Sequence, residues 1–520
     1  MNSKTAVLYR KPDAGTLHAW VDEEKVESAK TRGCSLLCAK ELMLTVIVGG
    51  SVFLAEAAPQ TFCNPMSLPD TPIGVYCRDA TLGMDLPSTS DWKHVTWMQS
   101  PHRRPFREVA DPTVYVENGV WYLYPSGGLL WKSTDCGGTW KHVERVKESR
   151  YAPAFCKFRG KYYLVTFDGP LCVADSPEGP FRELGFFERN TFGDDPQMAK
   201  FYDPELFADG DRVYLYWGCC NPGNKSIWGA ELDPDDLRRA KSKAVCLVEK
   251  DSEHHPWQRY LEGPSVFRRN GVYYLTYSVG GTDSPKYAWI ATKGATPLGP
   301  FVHQRHNPFF YTPTGLITGT AHGCVFDSGN DDWWVAYTIL VGGYHYFERL
   351  CGLDRIGFDE NGDLTASSAT STPQWLPSTG HRGDAGWRSL TLHGDAKHAI
   401  DDVLKTWWEI RGTLPQKLDF TLDNMSEIRA VRLVWKDVGL DPLRGVIAGP
   451  YRYRLWARTR GKWEVWIDAS ENDRDLLSDY REGRPMEADA VSLEILSAPK
   501  GIVPALDEIS VFGVAPFEFQ

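Results

Sequence analysis

Apolar and polar positions alternate in short runs along much of this chain, and between Asp111 and Tyr337 one such pattern recurs five times. Its clearest copy reads Asp111-Pro112-Thr113-Val114-Tyr115-Val116-Glu117-Asn118-Gly119-Val120-Trp121-Tyr122-Leu123-Tyr124. A carboxylate and a proline precede an alternating stretch, Asn-Gly supplies the positive φ angles of a tight hairpin, and an aromatic-rich stretch returns. The other copies begin at Ala152-Pro153, Asp203-Pro204-Glu205, Glu262-Gly263-Pro264 and His322-Gly323-Cys324. Each predicts two half-buried antiparallel strands.

The leading positions 111, 152, 203, 262 and 322 give a period of about 41 to about 60 residues. Strand repeats at such periods predict a β-propeller, whose units cannot bury their faces alone. A third strand follows each hairpin, as in Leu130-Trp131-Lys132-Ser133 and Ala288-Trp289-Ile290-Ala291. Five copies predict five blades. The segment from Phe62 to Arg107 is loop-rich and is expected to supply a strand that closes the ring and covers part of the pocket.

In a propeller the innermost strands line the central axis, so equivalent starts converge at one end of the channel. Those starts read Asp, Ala, Asp, Glu, His. Alanine shows that the strand forms without a charge there. Three carboxylates around one axis repel one another and shift each other's pKa, which a fold does not require. Glycoside hydrolysis with inversion does need two: one acid to protonate the leaving oxygen and one base to activate water, roughly 6.5–9.5 Å apart. A third carboxylate near the acid would keep it protonated near neutral pH.

The contexts Ala110-Asp111-Pro112, Tyr202-Asp203-Pro204 and Leu261-Glu262-Gly263-Pro264 resemble the motif set of glycoside hydrolase family 43, over roughly Cys63 to Leu364. The resemblance implies a five-bladed propeller and an inverting, mostly exo-acting enzyme. It implies Asp111 as general base, Glu262 as general acid and Asp203 as the residue that sets the acid's pKa and orientation. His322 matches the family's axial histidine, which often helps hold a calcium ion or a water in the channel, and Arg349 falls where a sugar-binding arginine often sits. No cofactor is expected for the chemistry; a structural calcium in the channel, held by His322 through water, is the metal that the resemblance allows. An α-L-arabinofuranosidase acting on plant polysaccharide side chains is the first expectation. A β-xylosidase, an exo-β-galactosidase and a non-catalytic carbohydrate-binding propeller are the alternatives. Trp97, Trp131, Trp217 and Tyr151 are candidates for an aromatic wall against a sugar, each weighed against simple blade packing.

With 520 residues the chain exceeds what one core holds. Residues 59–366 are assigned to the propeller and 367–383, rich in Ser, Thr, Pro and Gly, to a linker. Residues 384–520 are read as a β-sandwich from short alternating strands such as Ala430-Val431-Arg432-Leu433-Val434-Trp435. Thr406-Trp407-Trp408 and the closing Asp507-Glu508-Ile509-Ser510-Val511-Phe512-Gly513 are similar to the discoidin, or factor 5/8 type C, jelly roll, a fold shared by carbohydrate-binding modules of family 32. Such a module would raise local substrate concentration. The fold class is therefore all-β: a five-bladed propeller followed by a jelly-roll sandwich.

Residues 1–58 are read as a leader, in which an apolar run from Leu42 to Leu54 precedes Ala55-Glu56-Ala57-Ala58, a pattern that signal peptidases cut. That predicts a secreted or periplasmic protein. A formal charge of −11 disfavours a nucleic-acid partner, and no apolar run in the body of the chain is long enough for a spanning helix. The expected partner is an oligo- or polysaccharide, met by a monomer. Twelve cysteines show no zinc spacing, and Cys172, Cys324 and Cys351 read as packed thiols. His254-His255 is adjacent in sequence and reads as a solvated loop pair rather than a metal site.

Overall fold

The computed structural model describes residues 45–48, 51–54, 59–75, 95–98, 104–145, 151–167, 169–194, 200–218, 226–250, 260–365 and 368–514. It divides into two compact units, residues 1–58 and 59–520. In the first, Thr45–Val48 and Ser51–Leu54 pair as an antiparallel hairpin. The Ala-x-Ala pattern at 55–58 and His254-His255 lie outside the described residues. No helix among the described residues is long and apolar enough to cross a membrane.

The second unit holds the five expected blades. Blade 1 is Thr113–Glu117, Val120–Tyr124, Leu129–Ser133 and Lys141–Arg145; blade 2 is Ala154–Phe158, Lys161–Val165, Leu171–Ala174 and Arg182–Gly185. Blade 3 opens with Tyr202–Asp209, Arg212–Gly218 and Ser226–Asp233, and both Asp236–Ala240 and Val245–Glu249 pair with its third strand. Blade 4 is Glu262–Arg269, Val272–Val279, Ala288–Gly294 and Phe301–His303, with Phe310–Tyr311 also on its third strand. Blade 5 has Ala321–Asp327, Trp333–Leu340 and Arg349–Arg355. Every pairing within these blades is antiparallel. The hairpins turn where the sequence allows it: Asn118-Gly119 at φ 52° and 78°, Asn270-Gly271 at 51° and 80°. Arg159-Gly160 takes the same conformation without an Asn, at 46° and 73°.

First strands of successive blades touch one another, and blade 5 touches blade 1, so the ring is closed. Closure uses the N-terminal segment of this unit. Met66 N donates to Cys351 O at 2.9 Å and Leu353 N to Asn64 Oδ1 at 2.9 Å, which puts residues 64–66 along the outer edge of blade 5's third strand. Side chains also tie neighbouring blades together: Val114 N donates to Cys324 Sγ at 3.0 Å, and Thr113 Oγ1 to Pro153 O at 2.6 Å. Cys172, Cys324 and Cys351 are buried free thiols.

A β-rich sheet domain follows. Its order is Arg388–Leu390, Val503–Val514, Gln416–Val438, Ser478–Ser497, Arg452–Thr459 and Lys462–Ala469, with Leu392–His393 and Trp408–Glu409 attached to its long strands. Buried Val431, Leu433, Leu455, Val491, Leu493, Ile509 and Val511 form its interior. The segment read as a linker is packed: Gln374–Trp375 pairs with Thr61–Phe62, and Leu376 is buried. One continuous apolar core runs from Trp121 and Trp334 in blades 1 and 5 through Leu376 to Trp435 and Leu455 of the sheet domain. Buried Arg432 reinforces that junction by donating to Asn64 O and, at 2.8 Å, to Ser371 O.

Candidate active site

Each blade's first strand is entered through a residue in the left-handed region. These are Asp111 (φ 52°), Ala152 (46°), Asp203 (43°), Gly263 (55°) and His322 (49°). The sequence alignment put Glu262 in this set; the backbone puts Gly263 there instead. Glu262 stands one residue earlier and pairs with Ser278, as Tyr202 pairs with Gly218 and Ala321 with Thr338. The reason is steric. The His322 ring lies against Gly263, where an added Cβ would come within 2.7 Å of the ring carbon Cδ2. A residue with no side chain frees both the φ angle and the space.

Three hydroxyls at the ends of second strands hold these bends. Ser126 Oγ accepts from Ala152 N at 2.8 Å, Ser278 Oγ from His322 N at 2.9 Å, and Thr338 Oγ1 from Asp111 N at 2.8 Å. Each links one blade to the next. In blade 3 the equivalent position is Gly218, where a Cβ would approach Glu262 Cα to 3.1 Å. The glycine makes room for the glutamate.

Asp111 is almost completely buried, at 4 % exposure. Its Oδ2 accepts from Ser126 Oγ at 2.6 Å, and its Oδ1 lies 3.2 Å from Arg349 Nη1 and 3.2 Å from His322 Nδ1. Burial alone would push its carboxyl up, but the Arg349 guanidinium and the hydroxyl donors overcome this and hold it below the usual range. His322, when charged, adds to this lowering, but burial, with Arg349, outweighs the pull of Asp111 and takes the imidazole below its usual value. Glu262 goes the other way. Burial first, then the negative charges of Asp111 and Asp283, push its carboxyl up to about 7. Tyr287, itself buried, lies beside it and opposes part of the rise without completing a well-formed hydrogen bond. Asp203 comes within 4.0 Å of the same His322 Nδ1 that Asp111 approaches, so both carboxylates share one imidazole nitrogen.

Arg349 is held by Glu108 through both Nε, at 3.1 Å, and Nη2, and by Thr282 Oγ1 at 3.1 Å. Its guanidinium is thus committed to two carboxylates, Glu108 and Asp111. Tyr151 donates to Glu108 Oε2 at 3.3 Å and packs near Phe347, so it borders the site. The other two tryptophans are a correction. Trp131 and Trp217 are both 0 % exposed, the first donating to Pro69 O and the second packed on Phe192 and Phe201. Neither can offer a ring face to a sugar. Trp97 belongs to the strand Val95–Met98. Among the described residues no three His, Cys, Asp or Glu side chains gather in a metal-holding group, so an ion beside His322 would depend on water and backbone for most of its ligands.

Glu108, Ser126, Thr338 and Tyr287 were not picked out from sequence. The hydroxyls carry a readable signal, since Ser126, Ser278 and Thr338 occupy matching positions at or just past the ends of three aromatic second strands. Glu108 carries none, because its meaning depends on Arg349, 241 residues away.

Comparison with known proteins agrees with this geometry. The family model of glycosyl hydrolases family 43 matches residues 103–364. A β-D-galactofuranosidase of Aspergillus niger is 28 % identical over 40 % of this chain and 58 % of its own length. A β-xylosidase of Xylanibacter ruminicola is 25 % identical over 40 % of this chain and 82 % of its own. A xylosidase/arabinosidase of Thermoclostridium stercorarium is 26 % identical over 41 % and 49 %. The chain thus spans only about half the length of two of these three relatives.

Proposed function

This chain belongs to glycosyl hydrolases family 43, and from that premise we propose an inverting, exo-acting hydrolase that removes terminal sugars from plant polysaccharide side chains. One observation carries the assignment of roles: two buried carboxyl groups, close enough for the charge of Asp111 to act on Glu262, have environments that push them apart, Asp111 down and Glu262 up to about 7. Such divergence separates a base from an acid. In this reading the Asp111 carboxylate takes a proton from water as the water oxygen attacks the anomeric carbon. The glycosidic C–O bond breaks, and Glu262 gives its proton to the departing oxygen. Asp203 is proposed to help set the acid's pKa and orientation, and Tyr151 offers an edge to the sugar.

An α-L-arabinofuranosyl unit is the first substrate proposed. The relatives' names support it as a class, since they pair arabinose with xylose and include a furanoside. A β-xylosyl or β-galactosyl terminus is the alternative. The sheet domain is proposed as a discoidin-like sugar-binding module, and the protein as a secreted monomer with at most a water-held calcium at His322. Chelation that lowers the melting temperature would support the ion; an unchanged melt would leave His322 as a packing and proton-facing residue.

The deciding experiment is sugar release from a panel of aryl glycosides and plant polysaccharides by wild type and Glu262→Gln. Arabinose released by wild type, with Glu262→Gln losing far more rate on poor leaving groups than on activated ones, is the expected result. Release of xylose or galactose alone would replace the substrate. An equal loss on both kinds of leaving group would remove Glu262 as the acid.

A further inference from the structure

Two dipeptides of opposite order flank the site: Arg107-Glu108 on the approach to Asp111, and Glu348-Arg349 at the start of blade 5's third strand. Consecutive side chains in extended backbone leave on opposite sides. Glu108 and Arg349 turn inward, bind each other and reach Asp111. Arg107 and Glu348 turn outward, into the sheet domain. Arg107 meets Asp437 at 2.8 Å and Asp475 at 2.8 Å, and donates to Thr71 O at 2.6 Å. Glu348 takes the ammonium of Lys436, which also lies 3.8 Å from Asp507 and over the rings of Tyr344 and Trp407, 4.6 and 5.1 Å from their centres. All six charged groups of these outward pairs are buried. Val109 N donates to Arg349 O at 3.0 Å, locking the two segments side by side.

We propose that Lys436, Asp437 and Asp475 of the sheet domain are positioning residues for the hydrolytic site. They clamp the outer halves of the two dipeptides, and the inner halves then present the Arg349 guanidinium to Asp111. A buried ion pair adds little net stability over an apolar pair of the same shape, yet removing one partner leaves an unpaired charge and loosens the geometry. The sheet domain is therefore part of the catalytic apparatus even though none of these three side chains touches it. The inference rests on Asp111 being the base.

The test uses the full chain: Lys436→Met, Lys436→Arg and Asp475→Asn beside Asp111→Asn, each with kcat, KM and melting temperature on the best aryl glycoside. Lys436→Met is expected to lower kcat by about tenfold or more with KM within about twofold, the signature of a misplaced catalytic group. Lys436→Arg, which keeps the charge, should recover most of that loss. Asp475→Asn loosens the Arg107 arm and should lower kcat in the same sense; it decides the matter if Lys436→Met does not fold. Wild-type kcat in the folded Lys436→Met and Asp475→Asn proteins, beside an inactive Asp111→Asn, overturns the clamp and leaves the base assignment standing. An active Asp111→Asn overturns the base assignment itself.

Discussion

Five residues with φ between 43° and 55° stand at the heads of the five blades, and Asp111, Asp203 and His322 among them carry ionisable side chains. Aspartate and histidine enter this region more readily than most residues; alanine does so at some expense, as backbones near functional sites often do. Gly263 is the one position where both the angle and the space exclude a side chain. Gly263→Ala should destabilise the protein by about 2–4 kcal/mol, read from the melting transition, because left-handed strain and a clash with His322 add. A melt equal to wild type would mean that the imidazole moves aside freely. Asp111→Asn should reduce turnover roughly 10²–10⁴-fold while the protein stays folded. As the proposed general acid, Glu262 would act only while protonated, and with its carboxyl raised to about 7, kcat/KM should hold below that value and fall as pH rises through it. If the alkaline limb persists in Glu262→Gln, it belongs to another group.

At the level of the strand, contacts that position the site run between blades as well as within them. Thr338 lies near the end of the second strand of blade 5, yet its hydroxyl serves Asp111 N at the head of blade 1. Thr338→Val keeps the shape and leaves that buried donor unsatisfied, which costs about 1–3 kcal/mol. The expected result is a lower melting temperature together with a lower kcat, and Thr338→Ser should restore both. A loss in Thr338→Val confined to stability would make the hydroxyl a strut with no bearing on Asp111. Ser126 plays the doubled role most plainly, since it accepts from Ala152 N and donates to Asp111 Oδ2. The repeat made each strand and hairpin legible, because alternation and Asn-Gly act locally. It misplaced Glu262 by one residue, because a bend at the strand entrance breaks the alternation that the alignment assumed.

Over residues 59–520, a single apolar core, the buried ion pairs of Arg107 and Lys436, and the hydrogen bonds of Arg432 to Asn64 O and Ser371 O join the propeller to the sheet domain. Calorimetry should therefore show residues 59–520 unfolding in one cooperative transition, and two separated transitions would contradict the shared core. Arg107→Leu leaves Asp437 and Asp475 buried without their cation and should cost about 3–5 kcal/mol across that same transition. The amino-acid sequence by itself determined the all-β class, the five blades and the acids at the head of their strands, because strand periodicity, turn chemistry and repeat length are local properties. Tertiary structure decided which carboxyl is lowered and which is raised, that Trp131 and Trp217 are core, and that Arg349 binds Glu108 and Asp111. It also decided that the supposed linker is packed and that the sheet domain reaches toward the site. Those outcomes depend on groups hundreds of residues apart meeting in a medium of low polarity, where burial and the nearest charge set each group's behaviour.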